Sequence, residues 1–112
     1  MTTPVYYSDT HGRNLFAVRI TDDRMAPEFQ RGDLAVVNPN LPATEGDYAA
    51  VCVADTATTA ARRYLVRRLA RGLQGLEARA QAPEEAPLAV GTGRETTIEI
   101  IGRVVERKRM YA

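Results

Sequence analysis

One serine (Ser8), one lysine (Lys108), one histidine (His11) and one cysteine (Cys52) are the chain's whole supply of those four reactive side chains. A single cysteine forms no internal disulfide. One cysteine with one histidine does not furnish a tetrahedral zinc site of the usual kind, so no metal and no other cofactor is expected. A Ser/His/Asp triad would have to draw on Ser8 and His11, both in the first dozen residues. A Ser/Lys dyad would have to join Ser8 to Lys108, at opposite ends of the chain. Cys52 lies inside an apolar run and reads as a buried small hydrophobe. His11, beside Gly12, reads as a loop residue. Gly91-Thr92-Gly93 lacks the third glycine and the following helix of a dinucleotide fingerprint.

The elements that would have to position any chemistry are short and β-like. At 112 residues the chain is one domain with one core. Residues 15–20 alternate around Phe16, Val18 and Ile20. Residues 34–37 are a compact apolar run closed by Asn38-Pro39-Asn40, a turn signal. Dense runs follow at 48–53, after Glu45-Gly46-Asp47, and at 64–69. Residues 73–78 come after Arg71-Gly72, read as a hairpin turn. Residues 96–105 form the longest candidate strand. Residues 55–61 are small and polar and predict a loop. Residues 80–93, with Pro83, Pro87, Gly91 and Gly93, predict an irregular surface connection. Only 27–31, ended by Gly32, suggests a helical turn, since Pro27 suits a first helical position. Residues 1–14 read as a lead segment and 15–112 as a single domain, with no internal repeat and no helix-turn-helix pattern.

Hydrophobic residues make up 45% and charged residues 26% of the chain, and the net charge is +1, a balance that attracts neither nucleic acid nor acidic membranes. No apolar run approaches the roughly 18 residues of a membrane helix. The polar start of the chain predicts no secretion signal, which with the single thiol fits a cytoplasmic protein. Arginine supplies 14 of the 15 basic residues. The cluster Arg62, Arg63, Arg67, Arg68 and Arg71, and the tail Arg103, Arg107, Lys108 and Arg109, could meet phosphates, but balancing acids and few interleaved aromatics make both read as solvated strand ends.

Residues 18–39 read Val-Arg-Ile-Thr-Asp-Asp-Arg-Met-Ala-Pro-Glu-Phe-Gln-Arg-Gly-Asp-Leu-Ala-Val-Val-Asn-Pro. This resembles the nucleophile segment of the LexA-type repressor C-terminal domain and signal-peptidase-like serine peptidase superfamily, which runs roughly V-x-G-D-S-M-x-P-x-h-x-x-G-D-h-h-h-h-x-P. Asp23, Met25, Pro27, Phe29, Gly32, Asp33, the run 34–37 and Pro39 fall into place. Gly46-Asp47 before 48–53 resembles the family's second Gly-Asp strand. Leu65-Val66-Arg67-Arg68-Leu69 resembles its lysine strand, and Ile100-Ile101-Gly102-Arg103-Val104-Val105 its closing strand. The resemblance spans about residues 15–107.

The departures fall on the reactive positions. Arg24 stands at the nucleophilic serine, Arg67 at the general-base lysine and Asp22 at the glycine before the aspartate. The family's lysine works by being held neutral, and a guanidinium stays protonated. The resemblance therefore implies a mostly-β, LexA C-terminal-like fold of about six to eight strands with one short helical turn, and a catalytically inactive domain. It also implies a dimerisation or regulatory role in a transcriptional repressor or in a headless relative of one. The implied partner is a second copy, with Ile98, Ile100, Arg103 and Val105 as interface candidates, together with a protein partner or a DNA-binding domain absent from this chain. Direct nucleic-acid and membrane binding are not expected. The alternatives are an active serine peptidase with an unrecognised nucleophile and an anion- or nucleic-acid-binding module using an Arg-lined cleft.

Strand alternation puts Leu65, Arg67 and Leu69 on one side and Val66 on the other. If Arg24 faced Arg67 as a serine would face a lysine, two cations about 4 Å apart would cost on the order of 4 kcal/mol near a surface. Three arrangements relieve this: Arg24 turns to solvent, a carboxylate (Asp22, Asp23 or Glu28) bridges, or an anion occupies the cleft. The candidate cleft contacts are thus Asp22, Asp23, Arg24, Met25 and Arg67.

Overall fold

The computed structural model describes the backbone of residues 4–8 and residues 14–55, 62–93 and 95–109. Its strands are β1 (Pro4–Ser8), β2 (Asn14–Arg19), β3 (Leu34–Asn38), β4 (Tyr48–Asp55), β5 (Arg62–Gly72), β6 (Gly75–Arg79), β7 (Leu88–Ala89), β8 (Gly91–Thr92) and β9 (Thr96–Lys108). They form one antiparallel sheet in the order β1-β2-β3-β9-β4-β5-β6-β7, with β8 also on β9. The mostly-β expectation holds, and all six strands read from apolar runs are present. β1, β7 and β8 add to them. Residues 4–8 of the lead segment pair with β2, from Pro4 opposite Val18 to Ser8 opposite Asn14. His11, and 56–61 of the expected loop, lie outside the described residues.

The sheet coils until β2 touches β5. One apolar cluster gathers Phe16, Val18, Ile20, Met25, Phe29, Ala35, Val37, Ala50 and Val66. The other gathers Ala49, Val51, Val53, Leu69, Ala78 and Ile98. Alternation along β4 feeds both: Ala50 faces one side, and Ala49, Val51 and Val53 the other. Cys52 is buried, as its apolar run predicts.

Three local details differ from the sequence reading. The hairpin between β5 and β6 turns at Leu73-Gln74, two residues later than expected. Gly72 and Gly75 are its last paired residues, and Gly75 takes the positive φ (120°) that the tight reversal needs. The connection 80–93 contains the two short strands β7 and β8. Residues 27–31 form no helix. One helix-like bond, Phe29 N–H to Met25 C=O (2.9 Å), is made, and then the chain turns back. Gly32 N–H donates to Ile20 C=O (2.8 Å) and Ile20 N–H to Asp33 C=O (2.9 Å), so closure onto β2 wins over helix propagation. Pro27 follows a cis peptide bond. Among the described residues no helix is long and apolar enough to cross a membrane.

Candidate functional site

The turn between β2 and β3 carries Asp22, Asp23, Arg24 and Met25. Met25 (1% exposed) and Phe29 plug the turn into the first apolar cluster, and the Phe29 ring meets the Tyr48 ring edge-on at 5.1 Å. The Asp22 carboxylate accepts the Arg24 backbone N–H (3.0 Å), which bends the chain just before Met25. Behind the turn, buried Asp33 accepts the Gln30 backbone N–H (2.8 Å) and a two-point ion pair from Arg109 (3.0 and 2.9 Å). The Arg109 guanidinium holds the Asp33 carboxyl below the usual carboxylate range, although burial pushes the other way. Arg107 donates to the Glu28 C=O (2.7 Å). The end of β9 therefore fastens the turn from behind.

Arg67 sits on β5 directly opposite Ala49 of β4. It is 5% exposed and its Nη1 donates to the Val66 C=O (2.9 Å). Burial lowers its pKa from the ordinary arginine value, while the nearby charges of Asp22 and Glu85 raise it and those of Arg24 and Arg63 lower it. The guanidinium remains a cation in every ordinary buffer. A small void of about 10 Å³ separates β2 and the turn from β5, lined by Val18, Ile20, Asp22, Met25, Leu65 and Arg67 among others. That is space for one water at most.

Arg24 is exposed, and its guanidinium is not held by the carboxylates expected to bridge it. Asp22 caps its backbone, Asp23 pairs with Arg31 (3.2 Å) and Glu28 lies 3.9 Å from Arg107. The partner of Arg24 is Glu85, from the connection after β6. That connection also donates two backbone N–H groups, Gln81 and Ala82, to the Arg24 C=O (3.0 Å each). The Gln81 side-chain amide donates to the Tyr48 hydroxyl (3.1 Å). Sequence reasoning missed Gln81 and Glu85 because a Pro-rich connection carries no periodic signal. An ion pair spanning 61 positions leaves no local trace.

The charges of Asp22, Glu85, Arg24 and Arg63 all act on Arg67. The interface candidates are spread differently. Ile98 (5% exposed) is core, Ile100 and Arg103 are half-buried, and Val105 (43% exposed) stands out at a bulge where β9 meets β3. Ser8 is on the outermost strand, whereas Lys108 pairs with Leu34 inside the sheet. Among the described residues no group of three or more His, Cys, Asp or Glu could hold a metal ion.

The family model described as Peptidase S24-like matches residues 2–105. No curated protein matches the chain. The match runs from the lead segment through most of β9 and takes in both arginine positions, so this chain belongs to the Peptidase S24-like family.

Proposed function

We propose that this chain is a peptidase S24-like domain without peptidase chemistry, and that it works as a dimerisation or regulatory module of a transcriptional regulator, in the cytoplasm. The observation that carries this reading is the pair of arginines. At the position the family motif gives to the nucleophile stands Arg24, its guanidinium paired with Glu85 and its C=O accepting the backbone N–H groups of Gln81 and Ala82. At the position of the base stands Arg67, a buried cation that cannot accept a proton. Covalent catalysis needs a nucleophile within hydrogen-bond reach of a base, and neither group supplies one.

The association half of the proposal rests on a two-fold contact between like surfaces. Val105 is the large apolar side chain that β9 leaves exposed, and Arg103 and Ile100 on the same strand are half-buried. Sedimentation equilibrium of the chain tests it. A dimer at tens of micromolar that is weakened by Val105→Glu is the expected result, and a monomer throughout that range contradicts it.

A further inference from the structure

We infer that the cleft between the turn before β4, the middle of β5 and the end of β6 binds a small sugar phosphate, with the phosphate held by Arg68 and Arg79. None of Arg24, Arg67, Ile98, Ile100, Arg103 and Val105 lines that cleft, so the site is separate from the dyad positions and from the proposed dimer contact.

The register of the sheet brings the two arginines together. Arg68 of β5 lies directly opposite Arg79 of β6, so both side chains stand on one face. Two cations in that relation repel each other and weaken a strand pair. On its other side Arg68 faces Tyr48 of β4, which offers no negative charge. Arg68 is exposed, and among the described residues no carboxylate pairs with it. Glu77 takes only one edge of the Arg79 guanidinium: its Oε2 accepts from Nε (3.0 Å) and lies 2.9 Å from Nη2. The Nη1 group of Arg79 and the whole Arg68 guanidinium are left as donors for the cleft. Its far wall is fixed by two backbone bonds of 2.8 Å, Gly46 N–H to the Leu69 C=O and Leu69 N–H to the Asp47 C=O.

The arrangement specifies the occupant. A phosphate monoester brings close to two negative charges near pH 7 and three terminal oxygens, enough to receive two guanidiniums, whereas one carboxylate is satisfied by a single fork. The cleft has a volume of about 340 Å³, far more than a phosphate group fills, so the ligand carries a body as well. The rest of the lining offers hydrogen-bond acceptors. Glu45 supplies a carboxylate, its charge partly offset by Arg71 at 3.5 Å. Gln81 donates its amide nitrogen to the Tyr48 hydroxyl (3.1 Å) and keeps its amide oxygen. Acceptors suit the hydroxyls of a sugar. Among the described residues no aromatic ring lines the cleft, so a nucleobase has nothing to stack on.

The test is isothermal titration calorimetry of the full chain at low salt with ribose 5-phosphate, inorganic phosphate, ribose and acetate. One ribose 5-phosphate per chain is expected, with a dissociation constant of about 1 mM or tighter and at least about threefold below that of inorganic phosphate. Ribose and acetate should show no binding. Arg68→Gln and Arg79→Gln should each weaken ribose 5-phosphate by at least about tenfold. Arg68→Lys keeps the charge without the planar fork and should also lose affinity. Arg62→Gln changes an exposed arginine of the same strand that does not line the cleft, and should leave the affinity as it is. Without ligand, Arg68→Gln loses the cross-strand repulsion and should melt no lower than wild type, so a lost ligand is not a lost fold. No binding at about 10 mM ribose 5-phosphate, equal affinity for inorganic phosphate, or equal losses in Arg62→Gln and Arg68→Gln would overturn the inference. So would a short DNA duplex that displaces ribose 5-phosphate and depends on Arg62 as much as on Arg68, since the arginines would then form a diffuse basic face for nucleic acid.

Discussion

Arg109 closes a two-point ion pair on Asp33, joining the residue after β9 to the buried aspartate that begins the approach to β3. Asp33 is 2% exposed, whereas Arg109 keeps about a third of its side chain in solvent. The pair lies behind the turn that carries Arg24, so the fit of that turn depends on residues beyond the family match.

The folded-state pKa of Asp33 is lowered, so the stability it contributes is present above the unfolded value of about 3.9 and is lost as pH falls through the folded value. Urea titrations from pH 7 downward should show the wild-type midpoint falling in acid. Asp33→Asn, weaker at pH 7 by about 2 kcal/mol, should converge on it there. Arg109→Ala leaves a buried carboxylate short of its cation and should cost at least as much at pH 7. A constant gap between wild type and Asp33→Asn down to pH 2 would remove this role for the pair.

Arg67 carries a desolvation penalty for its buried charge. Replacement by an apolar side chain of similar length, Arg67→Met, should be neutral or stabilise the chain by about 1 kcal/mol in chemical denaturation. Arg67→Ala removes the same charge but enlarges the void between β5 and β2, and should destabilise by about 2 kcal/mol. A loss of several kcal/mol in Arg67→Met would mean that the guanidinium holds the fold together through contacts stronger than its bond to Val66.

Gly102 lies where β9 passes the end of β3. A Cβ there would come within 2.7 Å of the Asn38 carbonyl oxygen and 2.8 Å of the Pro39 Cα, both backbone atoms with no flexible end to yield. Gly102→Ala should therefore cost at least about 2 kcal/mol. Thermal unfolding within a degree of wild type would show that the β3 to β9 crossing can spread.

Val105→Glu places a charge on the exposed apolar position of β9. It should shift the sedimentation profile toward monomer while changing stability by less than about 0.5 kcal/mol, as expected for a surface substitution. Unchanged association would move the contact elsewhere on the sheet.

The strands were legible because apolar runs such as 34–37 and 48–53 lie between turn residues and are buried as read, and the arginines at 24 and 67 were legible through the motif around them. What was not legible depends on contacts distant in sequence. Nothing around Glu85 marks it as the partner of Arg24, and the tail arginines read as solvated cations until β9 brings Arg109 to Asp33. The helical turn expected at 27–31 is reduced to one bond from Phe29 to Met25 for a related reason. Local preference for a first-turn proline was outweighed by the backbone bonds between Ile20 and both Gly32 and Asp33.

Serine chemistry in this peptidase-like domain would be exposed by intact-mass analysis after prolonged incubation with a fluorophosphonate at mildly alkaline pH. The unmodified mass and no fragments are expected. A single stoichiometric adduct, lost in Ser8→Ala, would contradict the proposed loss of peptidase chemistry.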